Sequence, residues 1–205
     1  GNDSIDLRWV YTFYELNCAD DAYSSVAVGD IDGDGNQEIL ALVDTSPGVI
    51  GQDALQIFEW NPDSMSFLSE PTYTWDMGLE AVWEAWQILV EDVDGDGNQE
   101  IIVSIMNGPS WADMSTGGSS QLIIFEFQSA TDGQALFNIE YEDNIWTNWS
   151  GYNISTGDLD GDGFIEIYTV AYEYYHLIIY ESTGEDSYDY QTDFYISSEQ
   201  YQRAN

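Results

Sequence analysis

Residues 30–38 read Asp-Ile-Asp-Gly-Asp-Gly-Asn-Gln-Glu, and two later stretches of the chain repeat this pattern. Residues 92–100 read Asp-Val-Asp-Gly-Asp-Gly-Asn-Gln-Glu, and residues 158–166 read Asp-Leu-Asp-Gly-Asp-Gly-Phe-Ile-Glu. Each copy has carboxylates at positions 1, 3, 5 and 9 and glycine at positions 4 and 6. Two carboxylates about 5 Å apart repel each other by roughly 3 kcal/mol at an effective dielectric constant of about 20. The pattern therefore predicts a bound cation; the alternative is three acidic turns without a metal.

Calcium is the cation that this spacing favours. It accepts six to eight oxygen ligands in a flexible geometry, and alternating Asp side chains followed by a backbone carbonyl at position 7 can supply them. Magnesium fits less well because it keeps several waters and requires a near-ideal octahedron. Position 7 is Asn36, Asn98 and Phe164 in the three copies. A phenylalanine side chain cannot bind a metal, so we expect position 7 to contribute its carbonyl oxygen.

The residues around the loops exclude an EF-hand. An EF-hand requires a bidentate glutamate at position 12 and a helix on each side, but position 12 is Ala41, Val103 and Thr169. The flanking segments are short apolar runs, such as Ile-Leu-Ala-Leu-Val at residues 39–43, which are typical of strands. Each loop is therefore predicted to cap a β-hairpin.

A second marker repeats in register with the loops. It reads Leu-Gln-Ile-Phe-Glu at residues 55–59, Leu-Ile-Ile-Phe-Glu at residues 122–126 and Leu-Ile-Ile-Tyr-Glu at residues 177–181. A constant core with spacers of variable length is what a repeated supersecondary unit produces. The chain is therefore expected to be one domain, residues 1–205, built from one repeated unit.

Each repeat is predicted to contain four strands, at about residues 22–75, 84–142 and 150–197. Four-stranded antiparallel units packed face to face around an axis form a β-propeller. The predicted fold is accordingly all-β, with three propeller blades and one extra outer strand at residues 5–16. A β-sandwich with calcium loops is the alternative, which the three-fold repeat disfavours.

Three blades are too few to close a propeller ring, because propellers have about four to eight blades. Open blade faces and strand edges tend to associate. We therefore expect the chain to be part of a longer propeller or of a homo-oligomeric assembly.

The loops, their period and the Leu-x-Ile-aromatic-Glu marker together resemble the FG-GAP/VCBS repeat family. These repeats are the calcium-binding blades of integrin α-subunit propellers and of many secreted bacterial and archaeal proteins. The resemblance extends over residues 22–197, although the chain lacks the Phe-Gly and Gly-Ala-Pro signatures themselves. It implies three Ca²⁺ sites, with position 7 binding through its carbonyl. The implied ligands are Asp30, Asp32, Asp34, Asn36, Glu38, Asp92, Asp94, Asp96, Asn98, Glu100, Asp158, Asp160, Asp162, Phe164 and Glu166.

The charge of the chain restricts its partners. There are 39 acidic residues against two basic ones, Arg8 and Arg203, and the net charge is −37. Such a surface repels nucleic acids and anionic membranes, and no apolar run reaches the roughly 18 residues of a membrane span. We expect no nucleic-acid partner and no membrane insertion. The charge indicates either a well-solvated acidic surface or adaptation to high salt.

An extracellular or cell-surface location is predicted, because calcium loops of ordinary affinity fill best at the millimolar calcium concentrations found outside the cytosol. Asn-x-Ser glycosylation sequons at Asn2, Asn148 and Asn153 are consistent with secretion. Cys18 is the only cysteine, so the chain cannot form an internal disulfide.

The predicted function is that of a non-enzymatic adhesion or ligand-binding module. Aromatic residues cluster around the inter-blade loops, which are predicted at about residues 76–86 and 143–151, with a third loop at about 15–23. Exposed Trp and Tyr bind glycans or protein partners; alternatively, these rings fill the gaps between blades. The aromatic residues are Trp75, Trp83, Trp86, Trp146, Trp149 and Tyr152.

Two other functions are alternatives. The chain could be a structural subunit of a surface assembly or filament that is built through the open blade faces. It could also be a calcium-dependent polysaccharide-active enzyme, but it has no lysine and its single histidine, His176, precedes an apolar strand. No Gly-x-Ser-x-Gly or HExxH motif occurs. We therefore expect no enzymatic activity.

Overall fold

The computed structural model describes residues 22–44, 54–68, 70–76, 82–107, 119–145, 150–171 and 176–195. Within these ranges the regular secondary structure consists of thirteen β-strands. The strands form a nine-stranded sheet and a four-stranded antiparallel sheet. In the nine-stranded sheet, two antiparallel four-stranded units are joined by one parallel pair, Thr74 with Gln134. We call the three antiparallel four-stranded units blades 1, 2 and 3. The prediction of an all-β fold with three four-stranded blades is thus confirmed.

Within each blade, the four main strands are paired with one another in chain order. Blade 1 consists of β1 (Ala22–Gly29), β2 (Glu38–Asp44), β3 (Ala54–Asn61) and β5 (Tyr73–Asp76), with the short β4 (Ser66–Phe67) paired to β3. Blade 2 consists of β6 (Val82–Glu91), β7 (Glu100–Asn107), β8 (Ser119–Thr131) and β9 (Gln134–Ile145). Blade 3 consists of β10 (Ser150–Gly157), β11 (Glu166–Ala171), β12 (His176–Gly184) and β13 (Ser187–Tyr195).

The strand boundaries correct part of the predicted loop assignment. Trp83 and Trp86 lie within β6, and Tyr152 lies within β10, so these residues are not in inter-blade loops. The prediction of a loop over residues 76–86 is wrong from Val82 onward, because β6 pairs with β7 as far as Val82 and Asn107. Trp146, Trp149 and the predicted outer strand at residues 5–16 lie outside the described residues.

Blade 2 is covered on both faces, which explains the nearly continuous apolar runs in its central strands. In β7, Ile101, Val103 and Ile105 belong to the hydrophobic cluster shared with blade 1, whereas Ile102 belongs to the cluster shared with blade 3. The alternation follows from the two-residue period of a strand. A side chain of this size contributes about 1.5–3 kcal/mol when it is fully buried, so the two clusters hold the three blades together.

Polar contacts also join neighbouring blades. The amide of Asp30 in the first loop donates a 2.8 Å hydrogen bond to Gln99 Oε1 of the second loop. The amide of Ile88 on β6 donates to Ser25 Oγ on β1 at 3.2 Å. The first loop is therefore held in place partly by the second, although the two are far apart in the sequence.

Gly29 lies directly against blade 2. A Cβ atom at this position would overlap Val90 Cγ1 and would lie 2.6 Å from Gln99 Oε1. We expect Gly29→Ala to lower the free energy of unfolding by about 1–3 kcal/mol, the usual cost of overpacking. Urea denaturation would measure the loss.

The matched control is Gly157→Ala, which changes the equivalent residue before the third loop. Among the described residues, no atom lies within 4 Å of a Cβ built there. The control should therefore change stability little, and equal losses in the two variants would contradict close packing of Gly29 on blade 2.

Candidate metal centres

The three acidic loops connect β1 to β2, β6 to β7 and β10 to β11, and local hydrogen bonds curl each one. In the first loop, the amide of Asp34 donates to Asp32 Oδ1 at 3.1 Å, and the amide of Asn36 donates to Asp34 Oδ1 at 2.7 Å. Glycines at positions 4 and 6 permit the curl. In this loop they are Gly33 and Gly35, with φ of +71° and +91°, a backbone region that L-residues with a side chain rarely adopt.

The second and third loops repeat this geometry. The amide of Asp96 donates to Asp94 Oδ1, and the amide of Asp162 donates to Asp160 Oδ1, both at 3.1 Å. Asp158 at position 1 accepts amide hydrogen bonds from two glycines through its two oxygens. Local sequence is therefore sufficient to turn the carboxylates of each loop toward a common centre.

The glutamate at position 9 closes each loop from the start of the second strand. Its Oε2 atom accepts a hydrogen bond from the amide at position 2 in all three copies. The distances are 2.9 Å for Glu38, 2.7 Å for Glu100 and 2.6 Å for Glu166. One oxygen of each glutamate is thus fixed to the backbone, and the other is left to bind a ligand.

The structure brings the predicted carboxylate ligands together in groups whose oxygens lie within 4.8 Å of one another. In the third loop all four predicted carboxylates form one group. In the first two loops the carboxylates divide between overlapping groups. Five of these groups are Asp158, Asp160, Asp162 and Glu166; Asp30, Asp32 and Glu38; Asp32, Asp34 and Glu59; Asp92, Asp94 and Asp96; and Asp94, Glu100 and Glu140.

Two of these glutamates are buried, and no lysine or arginine among the described residues compensates their charge. Glu38 and Glu100 are both 0% exposed, and the Oε1 atom of each is buried with no hydrogen-bond partner. Asp30 Oδ1 is also buried and has no hydrogen-bond partner. The described ranges contain no lysine or arginine, since the only two basic residues are Arg8 and Arg203. Buried charges are normally paired or coordinate a metal, so this donor set fits a hard cation such as Ca²⁺.

Burial raises the pKa of these carboxyls. The pKa of Glu38 rises from about 4.5 to about 8, mainly because of burial and then because of the charges of Asp32 and Glu59. The pKa of Glu100 rises to about 8, again mainly through burial, with further contributions from Asp94 and Glu140. Without a cation, both sites therefore favour protonated carboxyls near neutral pH.

The melting temperature of the metal-free protein is expected to fall as the pH rises from about 4.5 to about 8. Over this interval the folded protein keeps protons on Glu38 and Glu100 that the unfolded chain has already released, so stability decreases with pH. Thermal melts of chelator-washed protein at constant ionic strength measure the trend. The Glu38→Gln/Glu100→Gln variant should show a flatter profile, and a wild-type melting temperature that increases across this interval would contradict the assignment.

In the first two loops the side chain at position 7 forms a hydrogen bond that holds the loop in place. Asn36 Nδ2 donates to Asp34 Oδ2 at 2.9 Å, and Asn98 Nδ2 donates to Asp96 Oδ2 at 3.0 Å. Phe164 takes this position in the third loop, where its side chain is 41% exposed and its amide donates to Asp162 Oδ1. The backbone carbonyl is therefore the group that all three copies can offer to a cation in the same way.

The structure adds carboxylates that the sequence pattern did not include among the ligands. The marker glutamates Glu59, Glu126 and Glu181 pair across the strands with Glu38, Glu100 and Glu166. Glu59 joins Asp32 and Asp34 in one of the acidic groups. The marker repeat was visible in the sequence, and its recurrence once after each loop was the available signal. No comparable sequence signal pointed to Glu140.

Trp75 is a packing residue between blades. Its ring lies 4.6 Å from the ring of Phe125 and 4.7 Å from the ring of Phe137, both in blade 2. It therefore fills an inter-blade gap, which was the alternative to a ligand-binding role for the predicted aromatic set.

Together, the fold and these centres define an all-β repeat protein with an acidic cage at the tip of each blade's first hairpin. No protein-family model matches the chain, and no match is found among curated proteins. Within the described ranges, no helix is long and apolar enough to cross a membrane.

Proposed function

We propose that the three loops are Ca²⁺ sites and that the chain is a calcium-dependent repeat module. The observation that carries this proposal is the burial of Glu38 and Glu100, each with a free oxygen, among described residues that include no lysine or arginine. A divalent cation would remove the repulsion within each group and satisfy the free oxygens. The resemblance of the loops and marker to FG-GAP/VCBS repeats supports calcium over other cations.

The module is proposed to act outside the cell as a non-enzymatic adhesion or ligand-binding protein. Calcium at millimolar concentration would keep loops of ordinary affinity filled there. The surplus of acidic residues beyond the loops would keep the protein soluble and repel nucleic acids. A protein or glycan is the class of ligand that the tryptophan-rich segment at residues 146–149 would suit.

A second candidate function is that of a subunit in a larger assembly, and the exposure of three apolar side chains favours it. Position 2 of the first loop, Ile31, is 4% exposed in the cluster shared with blade 2, and Val93 of the second loop is 1% exposed in the cluster shared with blade 3. The equivalent Leu159 is 74% exposed. On β1, Val26 and Val28 are also exposed. A further blade could cover these side chains in a head-to-tail contact.

Counting bound ions tests the calcium proposal. Native mass spectrometry of protein that has been stripped of metal and then refilled should detect three Ca²⁺ ions, one for each loop. The Glu166→Gln variant should lose the ion of the third loop. A wild-type protein that binds no Ca²⁺ at millimolar concentration would refute the proposal. Light scattering with and without chelator distinguishes a single module from an assembly.

A further inference from the structure

The second loop is joined by a carboxylate from far along the chain. Ligand oxygens of Asp94, Glu100 and Glu140 lie within 4.8 Å of one another. Asp94 and Glu100 belong to the loop and its following strand, whereas Glu140 lies on β9, the fourth strand of blade 2. We propose that Glu140 is an additional ligand of the cation in the second loop, and that the outer hairpin of blade 3 holds this ligand set in place. The proposal depends on cation binding by the loops.

A β-bulge explains how an outer strand delivers this side chain. Ile124 pairs with Tyr141 and Phe125 pairs with Ile139, so Glu140 is an extra residue in the ladder between β8 and β9. A bulge leaves one residue unpaired and redirects its side chain, which is why bulges often occur beside functional sites. The regular alternation of β9 would not have predicted the direction of Glu140.

Each of the three carboxylates uses a hydrogen bond to fix its position. Glu100 Oε2 accepts the amide of Val93 at 2.7 Å, and Glu140 Oε2 accepts the hydroxyl of Tyr188 at 2.9 Å. The Oε1 atoms of both glutamates are buried and have no hydrogen-bond partner. Glu100 is completely buried and Asp94 is 8% exposed. Two free, buried oxygens in one acidic group are the feature that indicates a cation ligand rather than a solvated acidic patch.

Blade 3 supplies two of the donors that orient these ligands. Tyr188 lies on β13, and the amide of Asp186, in the turn before β13, donates to Asp94 Oδ2 at 2.8 Å. Partners of metal ligands of this kind orient the ligands and strengthen binding. The ion of the second loop would therefore also fasten blade 3 to blade 2.

Blade 3 has no carboxylate at the position that corresponds to Glu140. In blade 3, the pairs of Ile179 with Thr192 and of Tyr180 with Tyr190 leave Gln191 as the extra residue of the corresponding bulge. A glutamine at this position carries no charge. The second loop should consequently bind its ion more tightly than the third.

A calcium titration of metal-stripped protein, followed by NMR, tests the role of Glu140. Amide signals of the loop glycines report on the loops separately: Gly97 on the second loop, Gly35 on the first and Gly163 on the third. The variant Glu140→Gln gives blade 2 the residue that blade 3 has. It should weaken binding in the second loop by about 10-fold or more and leave the other two midpoints unchanged, because charge and ligand number set calcium affinity.

The matched control is Glu142→Gln, which removes the same charge two residues away on an exposed part of β9. If Glu140→Gln and Glu142→Gln shift the second loop equally, Glu140 is not a ligand, even though the loops bind calcium. If no loop of the wild type responds to calcium, the proposed cation sites themselves are wrong.

Tyr188→Phe gives an independent test should Glu140→Gln fail to fold. It removes the hydroxyl that orients Glu140 and should weaken the second loop alone by roughly 10-fold, the usual lower effect of losing such a partner. An unchanged midpoint for the second loop in Tyr188→Phe would overturn the proposal.

Discussion

Removal of calcium is expected to lower the melting temperature of this protein by roughly 8–16 °C. An ion present at about ten times its dissociation constant adds roughly 1.4 kcal/mol per site, so three sites add about 4 kcal/mol. For a chain of this size, each kcal/mol corresponds to about 2–4 °C. The gain is large because the free oxygens of Glu38 and Glu100 would otherwise remain buried without a partner.

Thermal melts at neutral pH, with saturating calcium and then with excess chelator, measure this effect. Returning calcium should restore the melting temperature, and magnesium should restore less because it suits these loops poorly. The variant Glu38→Gln/Glu100→Gln/Glu166→Gln serves as the control and should respond little to chelator. Identical wild-type melts with and without chelator would contradict cation binding in the loops.

Phe125→Ala is expected to lower the free energy of unfolding by about 3–5 kcal/mol, as for other buried aromatic side chains. Phe125 is 0% exposed, and its ring is in contact with Trp75 of blade 1 and with Phe137, whose ring centroid lies 5.2 Å away. Truncation removes the centre of an aromatic group that spans the junction of blades 1 and 2. Surrounding strands are fixed by their ladders and can collapse only partly into the space.

Urea denaturation in saturating calcium measures the loss, so that metal binding is held constant. Leu136→Ala on β9 is the control, because Leu136 is 56% exposed and its truncation should cost little. A decrease of less than about 1 kcal/mol in the free energy of unfolding for Phe125→Ala would be too small for a tightly packed aromatic side chain. It would contradict close packing between blades 1 and 2.

The acidic loops could be predicted because the contacts that shape them are local. Asp32 accepts a hydrogen bond from the amide of Asp34, and Glu38 accepts one from the amide of Ile31, so the positions of these carboxylates are set within nine residues. The marker repeat placed Glu59 on a strand in register with the loop, and β2 and β3 bring it opposite Glu38. The four-stranded units followed for the same reason, since hairpins join strands that are neighbours in the chain.

The limits of the loop prediction show where local reasoning failed. Trp83 and Trp86 were assigned to an inter-blade loop, but β6 extends through both residues. A strand can be prolonged wherever a neighbouring strand offers a hydrogen-bonded partner, and β7 provides one as far as Asn107. The extent of that pairing depends on the lengths of both strands. The sequence of either strand alone does not predict it.

The sequence alone determined the repeat, the all-β class and the carboxylate cages, because each of these depends on residues within a hairpin. Only the tertiary structure decided which carboxylates and aromatic rings meet between hairpins. Glu140 reaches the second cage through a bulge in β9, and Trp75 is packed against Phe125 across two blades. The similar loop residues Val93 and Leu159 differ in burial because one is covered by a following blade and the other is exposed. Such differences arise from the packing of whole sheets, because the residues next to a side chain in the sequence do not determine which strand covers it.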